Sequence, residues 1–273
     1  MIQILADLQP ILLLAMLITM YSIETFRPYL AKPANKKQHD IHNFILTFIS
    51  IVVNGTVGIA VLFMVTYTSE HKVGLLNLVE LPYAIEIILG MFLIDLGSYG
   101  VHNLQHHVPF LWRFHRVHHA DLNLNASSAL RFHPIEVVLT QGIYLCLAIP
   151  LFGVSMTSFI IYGTIGLIFL IMQHSNFKFN NWIEKYGRYI FSTPGWHKIH
   201  HSNEKKYTDS HYGDVFTFWD RIFGTWHKVN PDQINYGLDK FKNPERQKAG
   251  FLLRSPFITL DGDTTTDEKQ TNS

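Results

Sequence analysis

The sequence predicts an all-α integral membrane protein, with four or five membrane-spanning helices and a histidine-rich helical cap on the cytoplasmic side. Three observations carry that expectation. Apolar residues make up 48% of the 273 positions and charged residues only 16%, against roughly 25% charged in soluble domains, so much of the surface need not face water. Several apolar runs approach or exceed the about 20 residues that a helix needs to cross a bilayer. The 16 histidines fall mostly between His102 and His211, near the ends of those runs.

Taken in order, the first run is Ile2–Ile23, apolar apart from Asp7 and Gln9. A cleavable signal peptide would carry basic residues ahead of its apolar core. Met1–Asp7 has no Lys or Arg, so a retained span is expected. Phe44–Tyr67 is the second run, and Leu81–Tyr99, with Glu86 and Asp95 inside it, is the third. Ile135–Phe152 and Met156–Met172 form a fourth and fifth, joined by a turn near Gly153; a re-entrant hairpin is the alternative for this pair. The loop Glu24–His42 carries Arg27, Lys32, Lys36 and Lys37, whereas Thr68–Glu80 carries only Lys72. The positive-inside rule then puts the N-terminus outside, and the histidine clusters and C-terminus in the cytoplasm. Residues 1–80 are expected to form N-terminal spans and loops, 81–230 a catalytic domain, and 231–273 an extension ending in a disordered tail, Asp261–Ser273.

The remaining composition excludes more than it selects. A net charge of +1 provides no field that would gather nucleic acid. The single cysteine, Cys146, lies in an apolar stretch and reads as a small buried hydrophobe. It rules out disulfides within the chain and a cysteine-rich zinc site.

The histidines form four clusters: His102-Asn-Leu-Gln-His106, continuing into His107; His115-Arg-Val-His118-His119; His174; and His197-Lys-Ile-His200-His201. On a helix, residues i, i+3 and i+4 share one face, with Cβ atoms roughly 5–6 Å apart. An H-x3-H pair therefore offers two imidazoles together, and an H-x2-H-H triplet offers three. Two triplets, one pair and His174 supply nine ligands, too many for one ion and suited to two sharing a pocket. His39, His42, His71 and His227 stand alone and read as ordinary hydrogen-bonded histidines. All-imidazole ligation suits iron, copper, zinc or nickel. Ligating histidines commonly give their second nitrogen to a carboxylate or carbonyl; Asp95, Asp121, Asp209, Asp214 and Asp220 are near enough in sequence to serve.

These motifs resemble the fatty acid hydroxylase / sterol desaturase superfamily of membrane di-iron oxidases. The resemblance runs from about Leu93 to Trp226. Asp95 on a span precedes H-x3-H and then H-x2-H-H. Arg131-Phe-His-Pro-Ile-Glu136 follows, then His174 after two apolar segments, then the second H-x2-H-H. Tyr212-Gly-Asp214 and Phe218–Thr225 resemble the closing motif of the family. The resemblance implies two iron ions, with zinc as a possible substitute, held by His102, His106, His115, His118, His119, His174, His197, His200 and His201. Two departures stand out. Only His174 is present where some relatives carry a further histidine pair, and His211 stands where many carry Asn, which makes His211 a tentative tenth ligand. His133, ahead of Pro134 at a helix start, suits a positioning role.

The resemblance further implies dioxygen-dependent hydroxylation or desaturation of a membrane lipid such as a sterol or fatty acyl chain. That chemistry consumes two external electrons. The chain has no Rossmann glycine fingerprint, no Cys-x2-Cys-His and too few cysteines for an iron–sulfur cluster, so a reductase or small electron carrier is the expected partner. Lys198, Lys205 and Lys206 would either dock an acidic carrier or simply anchor the cytoplasmic face. The competing readings are a histidine-rich metal transporter and a membrane zinc hydrolase. A transporter would place its ligands near mid-membrane, and a zinc hydrolase would offer a string such as H-E-x2-H; neither pattern is present.

Overall fold

The computed structural model describes residues 2–33 and 35–260; the expected tail Asp261–Ser273 lies outside the described residues. The fold is all-α, with five stretches among the described residues long and apolar enough to cross a membrane. They are α1 (Ile2–Phe26), α2 (Lys36–His71), α3 (Tyr83–His107), a composite Pro134–Phe152, and α7 (Met156–His174). Between α3 and the composite lies α4 (Pro109–His119). The composite itself begins as α5 (Pro134–Val137), passes through a π-helical stretch, Val138–Tyr144, and ends as α6 (Leu145–Phe152).

The bundle alternates in direction. Tyr83 at the start of α3 bonds Thr157 at the start of α7 at 2.9 Å, so these two helices run side by side in the same sense. Gln9 of α1 bonds Thr164 of α7 at 2.9 Å, and Met20 packs with Ile171 further along, so α1 runs the same way. Ser50 and Thr47 of α2 bond the carbonyls of Phe132 and Leu130, whereas Val61 and Val65 pack with Ile149 and Val154. Helix α2 and the composite thus run in the opposite sense. All four histidine clusters gather at the end where α1, α3 and α7 finish. At the other end two loops meet. Gly74 (φ 101°) and Gly153 (φ 76°) both adopt left-handed backbone, and a Cβ on Gly74 would stand 2.2 Å from the Gly153 amide nitrogen. Only glycine fits there.

The outer faces are apolar: Ile11, Leu14 and Ile18 on α1, Phe48, Ile51, Ile59 and Phe63 on α2, and Leu147 and Leu151 on α6 all stand exposed. Water would penalise that surface; hydrocarbon does not. Helix α2 exceeds the span expected from Phe44–Tyr67. Its 36 residues measure about 54 Å at 1.5 Å per residue, against a hydrocarbon core of roughly 30 Å. Its first turns therefore project into the histidine-bearing end.

Those turns join a buried polar network. Asp121, two residues past the first triplet, accepts from Ser128 at 2.7 Å and pairs with His39 at 2.7 Å. Asp40 accepts from Tyr21, from Lys36 at 2.6 Å and from Asn125 at 2.9 Å. Arg131, fully buried, donates to the Val117 carbonyl at 3.1 Å, Asn43 at 3.0 Å and Gln247 at 2.9 Å. Burial would raise the Asp121 carboxyl, but His39 and Arg131 beside it hold it well below the usual carboxylate range. Asp121 thus ties α2 to the loop after α4 and touches no clustered histidine.

After α7 the chain forms short helices: α8 (Asn181–Tyr186), α9 (Pro194–His200), α10 (Lys205–Thr208), α11 (Phe218–Ile222) and α12 (Ala249–Arg254). The segment beyond residue 230 packs into the same body. Phe241, Leu252 and Leu260 share a core with Leu46 of α2 and Val117 of α4.

Candidate metal centre

Each histidine-bearing helix starts at a defined cap. Pro109 opens α4 and Pro194 opens α9, each at a position where a missing N–H costs nothing. The Thr193 hydroxyl accepts from the Trp196 amide at 3.2 Å. The triplets then occupy the last turns of these helices, and His102 and His106 the last turns of α3.

The nine histidines divide into two groups: His102, His106, His115, His119 and His200 in the first, and His118, His174, His197 and His201 in the second. All nine are buried, and within each group one ring nitrogen per residue lies within 4.8 Å of every other. Each triplet is split between the groups. His115 and His119, one full turn apart, converge on the first group, while His118 points to the second. The second triplet does the reverse: His197 and His201 enter the second group, and His200 crosses to the first.

The donor atoms fit metal ligation. In the second group Nε2 of His174 lies 2.9 Å from Nε2 of His118, 3.0 Å from that of His197 and 3.1 Å from that of His201. His174 Nδ1 donates to the Leu170 carbonyl at 2.7 Å, so Nε2 of the neutral ring is a bare lone pair. One lone pair cannot serve three N–H groups, yet it can share one cation with them. Two nitrogens bound to one ion at roughly 2.0–2.1 Å stand at most about 4.2 Å apart, and these separations fall inside that limit. In the first group the Nε2 atoms of His115 and His119 are 3.1 Å apart. The buried Nε2 atoms of His102, His106 and His200 have no hydrogen-bond partner among the described residues. Burial, reinforced by the neighbouring imidazoles, holds His118, His119, His197, His200 and His201 well below the usual histidine pKa. They are therefore neutral and able to ligate.

The opposite nitrogens show what orients the rings. His102 Nδ1 donates to the Tyr212 carbonyl at 2.9 Å, His200 Nδ1 to the Ser210 carbonyl at 2.7 Å, and His106 Nδ1 faces Asp209 at 3.3 Å. Of the five aspartates singled out in the sequence, Asp209 faces a clustered histidine directly and Asp214 stands 3.7 Å from His102. Asp95 instead accepts from Tyr162, Trp219 and the Val215 amide. Asp220 accepts from the Tyr212 and Gly213 amides and from Thr225. Both hold the closing motif, whose Tyr212 carbonyl in turn holds His102. The sequence reading missed Glu136, whose Oε1 lies 2.6 Å from His115 Nδ1. Its presence in the Arg131–Glu136 motif was the available signal.

His211 lies outside both groups. Its Nε2 accepts from the His227 amide at 2.9 Å, and its ring packs 4.1 Å from that of Trp196. Burial pushes its pKa down to about 3. Its backbone is left-handed, φ 59°, a conformation that Asn also adopts readily. His133 caps α5, accepting from the Ile135 amide at 3.1 Å, and its Nε2 donates to the Leu253 carbonyl. His107 is exposed, and its Nδ1 bonds the Asn103 carbonyl of its own helix at 2.9 Å. Lys198 is not a docking residue: it is fully buried and its Nζ donates to the Ser175 carbonyl at 2.7 Å.

Comparison with known proteins agrees with this geometry. The chain is 29% identical over 181 residues to an ornithine lipid hydroxylase of Rhizobium tropici, covering 64% of this chain and 51% of that one. It is 29% identical over 147 residues to the human alkylglycerol monooxygenase, covering 53% and 31%. It is 26% identical over 155 residues to a Delta(7)-sterol 5(6)-desaturase of Gibberella zeae, covering 55% and 44%. The matched regions thus span about half or less of these curated relatives. No solved structure matches the chain. The profile of the family described as Fatty acid hydroxylase matches residues 87–225, just over half of the chain and the stretch that holds all nine clustered histidines. The chain therefore belongs to the fatty acid hydroxylase family, within the superfamily that includes the sterol desaturases.

Proposed function

We propose that this protein oxidises an unactivated C–H bond of a membrane lipid with dioxygen, by hydroxylation or desaturation, at a pair of iron ions. The observation that carries the reading is the division of nine buried imidazoles into two groups at one end of a bundle of span-length helices. His102, His106, His115, His119 and His200 would hold one ion, and His118, His174, His197 and His201 the other. Bound iron would supply dioxygen binding and redox chemistry that no side chain here provides; zinc would occupy the same imidazoles without that redox capacity.

The chain's own residues perform three tasks. Burial keeps water away and holds His118, His119, His197, His200 and His201 neutral. The Tyr212, Ser210 and Leu170 carbonyls fix which nitrogen of His102, His200 and His174 faces inward. The parallel helices α3 and α7 bring their histidines to the end of the apolar layer, where a lipid chain can approach from the side. Hydroxylation converts R–H, O2, two electrons and two protons into R–OH and water. Desaturation removes two hydrogens and yields two waters. Either reaction draws two electrons from outside, so a reductase or small electron carrier is the proposed partner. The printed names of the relatives point to ornithine lipid, alkylglycerol and sterol as substrate classes. The histidine-bearing end is proposed to be cytoplasmic and the N-terminus outside; Arg27, Lys32, Lys36 and Lys37 at that end support this orientation.

The test is a comparison of lipids from cells with and without the protein, followed by turnover of the changed lipid by iron-loaded protein with dioxygen and a reductant. A product heavier by one oxygen or lighter by two hydrogens is expected. Iron-loaded protein that leaves the lipid fraction unaltered would sink the reading.

A further inference from the structure

We propose that the two ion sites are chemically inequivalent and that Glu136 makes them so, acting through His115 as a positioning residue that gives the first site a buried carboxylate hydrogen-bonded directly to one of its rings, which the second lacks. This rests on the metal-centre reading above.

The contrast lies in the nitrogens that face away from each site. In the second group His174 Nδ1 donates to a neutral carbonyl, and the buried Nδ1 atoms of His118, His197 and His201 have no hydrogen-bond partner. In the first group four of the five rings are held: His102 and His200 by carbonyls, His106 by Asp209 and His115 by Glu136. Asp209 and Asp214 are partly exposed, with 21% and 36% of their side chains open to solvent, so water screens them. Glu136 is only 3% exposed. Its Oε1 lies 2.6 Å from His115 Nδ1 and accepts from Gln105 Nε2 at 3.0 Å, while its buried Oε2 has no hydrogen-bond partner.

A buried carboxylate needs a positive charge nearby. Among the described residues Glu136 forms an ion-pair contact only with His115. An ion on the far side of that ring supplies the missing charge. A carboxylate accepting from Nδ1 fixes the His115 proton there, leaves Nε2 as the donor and raises its basicity. The first site then binds its ion more tightly and favours its oxidised state. The second, walled by imidazoles and one carbonyl, releases its ion first. Gln105, immediately before His106 and three residues after His102 on α3, donates to Glu136 at 3.0 Å and keeps the carboxylate in register with the site.

The experiment uses the full chain in detergent, loaded anaerobically with ferrous iron, and counts ions retained against increasing chelator. The wild type is expected to lose its ions in two steps. The His197→Ala background, which also carries His201→Ala, isolates the first site, and the His102→Ala background, which also carries His106→Ala and His119→Ala, isolates the second. In the His197→Ala background, Glu136→Gln keeps an acceptor of similar shape but no charge, and should weaken retention of the remaining ion roughly 10- to 100-fold. In the His102→Ala background it should change nothing. A merely structural role for Glu136 would weaken both backgrounds alike. That outcome, no weakening in either, or a single release step in the wild type would overturn the inequivalence while leaving the metal centre standing. A wild type that binds no iron would overturn both.

Discussion

Replacing Asp220 by alanine tests whether the closing motif holds the first site. Asp220 is fully buried and accepts three hydrogen bonds: from the Tyr212 amide at 2.8 Å, the Gly213 amide at 3.0 Å and the Thr225 hydroxyl at 2.9 Å. In Asp220→Ala the hydroxyl can turn to Tyr99, 2.7 Å away. The two backbone amides have no such alternative. Each buried donor left unsatisfied costs roughly 1–3 kcal/mol, so the variant should lose about 2–6 kcal/mol. The loss bears on chemistry because the Tyr212 carbonyl holds His102 Nδ1 at 2.9 Å. The assay is thermal unfolding together with iron content in detergent. A melting point and two-ion content equal to wild type would refute the reasoning. The pH dependence supplies a second check. Burial, outweighing the three donors, raises the Asp220 pKa from 3.8 to about 7. The folded protein therefore keeps this proton through a range in which the unfolded chain has lost it. The stabilisation from this group is complete below about pH 4 and falls away as the pH rises through about 7. Asp220→Asn, with no proton to lose, should lack that component, and an unchanged stability–pH slope across this range would refute the assignment.

Three further outcomes follow from the same structure. His118→Ala and His200→Ala should each abolish lipid oxidation while the protein stays membrane-inserted, and His227→Ala, whose ring is exposed, should be nearly silent; product formation per inserted protein decides this, and full activity in either of the first two would remove the catalytic assignment. Arg131→Met should cost about 3 kcal/mol, the low end for stripping a buried ion pair, because His39 still pairs with Asp121 at 2.7 Å; an unchanged melting point would refute that. Reporter fusions after Glu80 and Lys205 should report opposite sides of the membrane, and agreement between them would overturn the proposed topology.

Much of the fold was legible because membrane insertion is a local property of sequence. A run such as Met156–Met172 needs no partner to be recognised, and its helix ends only two residues later, at His174. Helix α2 was under-read, because Lys36–Asn43 is polar. Those turns are helical through contacts with residues some 80 positions away, Asp121 and Ser127 among them, and no window along the chain contains both. Lys198 was misjudged for a related reason: a lysine in a basic stretch reads as surface, and only the packing of α9 against the turn after α7 buries it. Residues 231–260 carried no signal for their partners either; Leu252 and Phe241 find Val117 and Leu46 only in the folded chain.

The sequence by itself determined the candidate ligands and their local spacing, because i, i+3 and i+4 on a helix fix which side chains share a face. Nine imidazoles exceed what one ion takes, which led to the expectation of two sites, and the structure gathers them in two groups. The sequence did not determine which histidine joins which group. Spacing groups His115, His118 and His119 together, yet His118 joins His174, His197 and His201, while His200 leaves its own triplet for His102, His106, His115 and His119. Helix periodicity sets directions about one axis only. The partition depends on how α3, α4, α7 and α9 are placed relative to one another, and that is set by packing and hydrogen bonds between residues far apart in the chain. The same holds for Glu136, 21 residues from His115, which reaches that ring only once the loop after α4 has folded back beneath it.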